Sequence, residues 1–310
     1  LVPAPCWVSY APQAQIIGRA VHFIPTRFEQ GWRLQPDRLA EICREDPHRP
    51  RLLILNYPGN PDGQSYNAEE LEQLARVAHR YQVVLLSDEI YAPLTHDGDH
   101  VSVARFYPEG TIISSGLSKW CGAGGWRLGT FAFPENLVWL QRAMATAASE
   151  TFTSTSAPIQ HAAVCAFRGS PAIDDYLAHA RRVLGALGRW ATARLRRAGA
   201  RISDPRGGFY LFPDFSPLRE RLAHRGMITD RQLCARALDE LGVAFLPGED
   251  FGMRAEQLTA RLAYVDFDGT AALAASRQLL PSDEPPGEDF IAAHCPQVVT
   301  AVERLCDWLG

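Results

Sequence analysis

Lys119 closes the run Ser115-Gly116-Leu117-Ser118-Lys119, and Arg127 stands a short way downstream in Gly125-Trp126-Arg127-Leu128-Gly129. A primary amine in a turn of small residues can form a Schiff base with a carbonyl. A planar guanidinium can fork onto a phosphate. Two upstream segments carry further polar groups: Asn56-Tyr57-Pro58-Gly59-Asn60-Pro61-Asp62-Gly63 and Ser87-Asp88-Glu89-Ile90-Tyr91. They supply the amide, carboxylate and phenol that the ring of a phosphorylated carbonyl cofactor would meet. Together these residues point to pyridoxal phosphate (PLP) chemistry.

Such groups work only if the fold brings them together. Arg51-Leu52-Leu53-Ile54-Leu55-Asn56 is an apolar run ending in a Pro/Gly/Asn cluster, the pattern of a buried strand. Asn67 and Glu70 have capping-box spacing, and Leu71, Leu74, Ala75 and Ala78 follow on one helical face. Gln82–Ser87 reads as a second buried strand, so the unit is βαβ and its strands are parallel. Thr111–Ser114 and Thr130–Phe133 add two more strands. Asn60, Asp88 with Tyr91, and Lys119 then follow the ends of three successive strands. Open α/β sheets bind ligands at that carboxyl edge. Beyond a long helix at about 174–198, short strands near 209–212, 243–246 and 261–265 alternate with helices near 229–241 and 297–309, a smaller α+β texture. The fold expected is α/β, a mostly parallel sheet between helices, with a large domain at 1–178 and a small carboxyl-terminal α+β domain at 179–310.

The 310 residues are 46% hydrophobic and 21% charged, with a net charge of −4. That is ample for real cores and gives no electrostatic reason to expect nucleic acid or a membrane as partner. The arginines at 194–197 read as a solvated helix face. Seven scattered cysteines lack metal or disulfide spacing, which predicts a reducing, cytoplasmic setting. The chain opens Leu1-Val2-Pro3-Ala4-Pro5, as if inside a strand, so a preceding segment is expected to be missing.

On these motifs the chain resembles the class I/II, fold-type-I PLP-dependent aminotransferases. Their Asn-Pro-x-Asn-Pro-x-Gly stretch matches 56–63, their Asp-Glu-x-Tyr stretch matches 88–91, and their Ser-Lys…Gly-Trp-Arg-x-Gly stretch matches 118–129. The resemblance implies that Lys119 holds the cofactor as a Schiff base and moves the substrate Cα proton. It implies that Asp88 pairs with the ring nitrogen and that Asn60 and Tyr91 bind the ring's phenolic oxygen. Arg127 and Ser118 would bind the phosphate, Trp7 would stack on the ring, and Arg261 would take the substrate α-carboxylate. The implied protein is a homodimer that moves an amino group between an L-amino acid and a 2-oxo acid. The resemblance also implies a small-residue phosphate loop and an amino-terminal arm, neither of which these residues contain.

Taken alone, each residue has a plainer role open to it. Asp88 can be a helix N-cap, Asn60-Pro61-Asp62-Gly63 a simple turn, Trp7 a packing residue, Tyr91 an interface aromatic and Arg261 a surface ion pair. Two other functions use the same residues: a PLP-dependent lyase or decarboxylase, and a non-catalytic effector-binding domain of a regulator. Gly122-Ala123-Gly124-Gly125 lacks the third glycine of a dinucleotide loop. No metal is expected: His96, Asp97, Asp99 and His100 read as a solvated turn, and 266–269 lacks the ligand spacing of a calcium loop. Trp120 is expected to shape access to Lys119, and 281–287 to be an exposed loop.

Overall fold

The computed structural model of the chain describes residues 1–279 and 285–310. Most of the 281–287 loop expected above lies outside the described residues. The central sheet has strand order β3-β4-β5-β6, from β3 (Leu52–Asn56), β4 (Val84–Asp88), β5 (Thr111–Gly116) and β6 (Gly129–Ala132). β3, β4 and β5 are parallel, and β6 returns antiparallel along β5. A short parallel pair, β1 (Val2–Ala4) and β2 (Phe23–Pro25), lies beside β3, where Ile54 N–H donates to Leu1 O at 3.1 Å. The sheet is the mostly parallel α/β sheet that the sequence predicts.

The crossover from β3 to β4 runs through the helix Ala68–Arg80, and its start is fixed locally. Asn67 accepts from the Glu70 N–H while the Glu70 carboxylate accepts from the Asn67 N–H, so the capping box forms on both sides. The helix buries Leu71, Leu74, Ala75 and Ala78 against Leu53, Leu55 and Leu85 of the strands. Each fully buried leucine contributes roughly 1.5–3 kcal/mol, so this face holds the crossover in place. β4 starts two residues later than the apolar run implies. Gln82 sits at φ 51 in the left-handed region and belongs to the turn.

The 27-residue helix Pro171–Arg197 begins three residues earlier than expected. Ser170 caps it by accepting from Ile173 N–H at 3.3 Å, with Pro171 in the first turn, where the missing N–H does no harm. Its buried face, including Leu184, Leu187, Ala191 and Leu195, packs on the carboxyl-terminal helix Pro296–Leu309 and on a three-stranded antiparallel sheet. That sheet has order β7-β9-β8, from β7 (Tyr210–Leu211), β8 (Leu246–Pro247) and β9 (Ala260–Ala263). All three strands are shorter than their apolar runs, because only these residues find a ladder partner.

Candidate functional site

The carboxyl ends of β3, β4 and β5 meet at one edge, and the side chain of Asn56 ties two of them together. Its Nδ2 donates to Asp88 O at 2.9 Å, and its Oδ1 accepts from Asn60 N–H at 2.8 Å. The turn carrying Asn60 is thereby fixed to the strand end carrying Asp88. Gly63 ends that turn at φ 66, and a Cβ there would stand 2.7 Å from Tyr210 O. Glycine lets the turn close directly onto β7, which brings the small sheet against the large one.

Asp88 is the last residue of β4 and lies between Asn56 and Ser114 on the neighbouring strands. Burial pushes its carboxyl above the ordinary range; the Tyr10 hydroxyl, the Ile90 N–H and the charge of Lys119 pull it partly back. Tyr10 donates to Asp88 Oδ2 at 2.5 Å, and burial together with that carboxylate holds the phenol well above its ordinary value. Tyr10 was not singled out from the sequence. Trp7, half-buried, meets Tyr10 edge to face at 5.3 Å. Asp88 Oδ1 also accepts from Ile90 N–H at 3.3 Å, a turn bond, but Asp88 is not the helix N-cap left open above, since the next helical turn, Ala92–Leu94, starts from Tyr91.

Lys119 and Arg127 share one loop between β5 and β6. Its neck is closed by Leu117 N–H donating to Leu128 O at 3.2 Å, and a Cβ on Gly116 would stand 2.7 Å from that same oxygen. The Lys119 ammonium stands 5.9 Å from the centre of the Tyr91 ring and 6.0 Å from that of Phe209. Ser118 beside it is half-buried. Arg127 lies on the exposed face of the loop, its Nη1 donating to Gly124 O at 2.7 Å. Its backbone is left-handed at φ 55, a conformation that non-glycine residues hold at a cost and that clusters at functional sites.

Arg261, on β9, is not the surface ion pair that remained open above. Its Nη1 donates to Asn60 Oδ1 at 3.0 Å, and its guanidinium lies 4.5 Å from the Tyr210 ring centre and 5.0 Å from that of Phe251. Burial lowers its pKa. Its Nε is buried without a partner among the described residues. Tyr91 is buried too, and its hydroxyl donates to Tyr210 at 3.3 Å. Burial first, then Tyr210 and Asp88, hold the Tyr91 phenol far above its ordinary value.

Two expectations need correcting. The 96–100 turn is not simply solvated. His100 Nε2 lies 2.9 Å from Glu89 Oε2, with only 14% and 9% of the two side chains exposed. His96 sets its two ring nitrogens 3.1 Å from Pro205 O and 3.0 Å from Gly208 O. Main-chain acceptors and Glu89 draw the two histidines inward, a signal that composition does not carry, while Asp97 and Asp99 stay exposed as expected. Trp120 does not border the amine: it is 4% exposed, turned into the core and edge-on to Phe167 at 5.9 Å. The described residues hold no cluster of three or more potential metal ligands, and none of their helices is long and apolar enough to cross a membrane.

The assembled residues fit a cofactor of the PLP type. A half-buried carboxylate and a buried phenol lie near an amine flanked by aromatic rings, and the Asn60 amide meets an arginine whose buried Nε lacks an acceptor. A buried donor left unpaired is costly, so an anionic guest beside Arg261 would relieve that cost.

Matches to known proteins agree. The family model for aminotransferase class I and II matches residues 1–268. An aspartate aminotransferase of Geobacillus stearothermophilus is 32% identical over 81% of this chain and 62% of its own length. An aspartate/prephenate aminotransferase of Thermus thermophilus is 33% identical over 81% of this chain and 61% of its own. A solved Thermus thermophilus aspartate aminotransferase mutant superposes with a TM-score of 0.78 at 29% identity, covering 99% of this chain and 72% of that one. The chain thus spans about three fifths of the length of these curated relatives.

Proposed function

Because the chain belongs to the class I and II aminotransferases, we propose that it is a PLP-dependent transaminase moving an amino group between an L-amino acid and a 2-oxo acid. One observation carries the reading: Lys119, Asp88 and Tyr91, Tyr10, Asn60 and Arg261 come from five separate chain segments into linked contacts at the end of the sheet. The names of the relatives make aspartate the first donor to test.

Bound PLP supplies an aldehyde that condenses with amines and an electron-poor ring that spreads the electron pair left when Cα loses its proton. Lys119 Nζ would hold the cofactor and take up the proton leaving the substrate Cα. Asp88 keeps a negative charge at the ring nitrogen, and the Tyr10 hydroxyl sustains it against burial. Tyr91 and Asn60 donate to the ring's phenolic oxygen. Arg127 and Ser118 hold the phosphate, and Trp7 covers a ring face. Arg261 binds the substrate α-carboxylate between the Tyr210 and Phe251 rings, where little water competes. Residues 1–178 would carry the cofactor side and 179–310 the substrate arginine. A cytoplasmic homodimer is part of the proposal. All seven cysteines are free thiols, which supports a reducing compartment, and exposed Trp126, Phe131, Trp139 and Phe152 supply an apolar surface to cover.

The test is to add PLP and follow the visible absorbance band, then add aspartate. Loss of the band with release of the oxo acid supports transamination; carbon dioxide with alanine or β-alanine would mean a decarboxylase, and ammonia with pyruvate from a parallel addition of cysteine would mean a lyase. Lys119→Ala must abolish the band, and its persistence would refute the assignment of the amine.

A further inference from the structure

Tyr210 has so far entered only as a ring beside Arg261 and an acceptor for Tyr91, yet it touches both halves of the site. It is 7% exposed on β7, whose pairing with β9 sets Tyr210 opposite Ala263, two positions from Arg261. Its ring lies under the Arg261 guanidinium at 4.5 Å, and its hydroxyl accepts from Tyr91 at 3.3 Å. Arg261 in turn donates to Asn60, so Tyr91, Tyr210, Arg261 and Asn60 form a chain of contacts from one ring-oxygen donor to the other. The backbone of Tyr210 is pinned as well, by the close approach of Gly63 to its carbonyl.

We propose that Tyr210 is a positioning residue: one phenol whose ring seats the carboxylate-binding arginine and whose hydroxyl aims Tyr91 at the cofactor's phenolic oxygen. This rests on the aminotransferase reading given above. A hydroxyl has one proton to give and can accept two. Without a guest, Tyr91 gives its proton to Tyr210. When Tyr91 donates to an anionic ring oxygen, both O–H bonds turn, and Tyr210 donates into the Tyr91 oxygen with no movement of either ring. Donors linked in this way strengthen one another. The same phenol therefore sustains Tyr91 as a donor and holds Arg261 in place from below.

The ring and the hydroxyl can be separated. Tyr210→Phe keeps the seat of Arg261 and removes only the link to Tyr91. The phenolic oxygen is then a less stable anion, so the PLP-loaded protein should hold its proton more tightly. The pH midpoint of the visible band should rise by about half a unit to one unit, the size of one modest hydrogen bond. Succinate affinity should stay within about twofold. In a Tyr91→Phe background the same substitution should leave the midpoint where it is, because the link is already gone. Tyr210→Ala should also weaken succinate binding to the cofactor-free protein, about threefold to tenfold, through the lost cation–π seat. A Tyr210→Phe midpoint equal to wild type, or an equal shift in both backgrounds, overturns the hydroxyl role. Unchanged succinate binding in Tyr210→Ala overturns the seat. If wild-type protein gives no visible band, the transaminase reading fails, while the succinate measurement still decides the seat on its own.

Discussion

Arg261→Met tests the carboxylate site at its most exposed assumption. In the structure Nη1 is taken by Asn60 and Nε is buried without a partner, so the Nε–Nη2 edge is the fork left for a carboxylate. Two charge-assisted hydrogen bonds contribute about 1.5–3 kcal/mol each. Methionine should therefore weaken a dicarboxylate such as succinate by roughly a hundredfold to ten-thousandfold. Arg261→Lys keeps the charge but not the fork, and should fall about tenfold to a hundredfold short of wild type. The empty fold should respond differently. Burial already disfavours the cation, and removing it offsets the lost Asn60 bond and ring contacts, themselves worth about 0.5–2 kcal/mol. The ligand-free melting temperature should therefore change little. Differential scanning fluorimetry over a succinate series reads both quantities. At a hundred times Kd, succinate should stabilise wild type by about 2.7 kcal/mol, a rise of several degrees. A succinate shift that survives intact in Arg261→Met would refute the reasoning, and so would a variant that melts far below wild type without ligand.

Other expectations concern the groups behind the site. Burial raises the Asp62 carboxyl from 3.8 to about 7. Its favourable contribution is therefore complete below pH 3.8 and is lost as pH rises towards 7. Three units correspond to a ceiling of about 4 kcal/mol, which the residue's partial hydration cuts to about 1–2 kcal/mol. Urea titrations from pH 4 to 8 should show Asp62→Asn gaining on wild type as pH rises; parallel curves would sink this. Glu89 has the opposite sign. Burial pushes it up, but donors from His100, Ser102 and Ser87 together hold it below 4.5. Its contribution is present above pH 4.5 and lost in acid. His100→Ala removes one hydrogen-bond donor from this nearly dry carboxylate and should cost about 1.5–3 kcal/mol, checked by the urea midpoint, and a loss under 1 kcal/mol would contradict it. Tyr10→Phe removes a donor to Asp88, so the acid limb of the pH profile for amino transfer should move to higher pH. A limb that stays in place would show that Tyr10 does not sustain the carboxylate.

What could be read from the residues alone was whatever the chain settles within a few positions. The capping-box partners Asn67 and Glu70 stand three positions apart, and the buried face of its helix repeats within one turn, so both were legible. The strand-end motifs were legible because each carries its polar group in a short turn directly after an apolar run. The partners that tune those groups arrive from far away. Tyr10 reaches Asp88 across 78 positions, Tyr91 reaches Tyr210 across 119, and Asn60 reaches Arg261 across 201. Trp120 shows the same limit at close range. It adjoins Lys119 in sequence, yet Phe167 on the helix Ala157–Arg168 draws the indole into the core. Local motifs thus name the groups that can do chemistry. Their proton affinities depend on burial and on a second set of polar side chains placed only when the two sheets close, and that set was not visible beforehand.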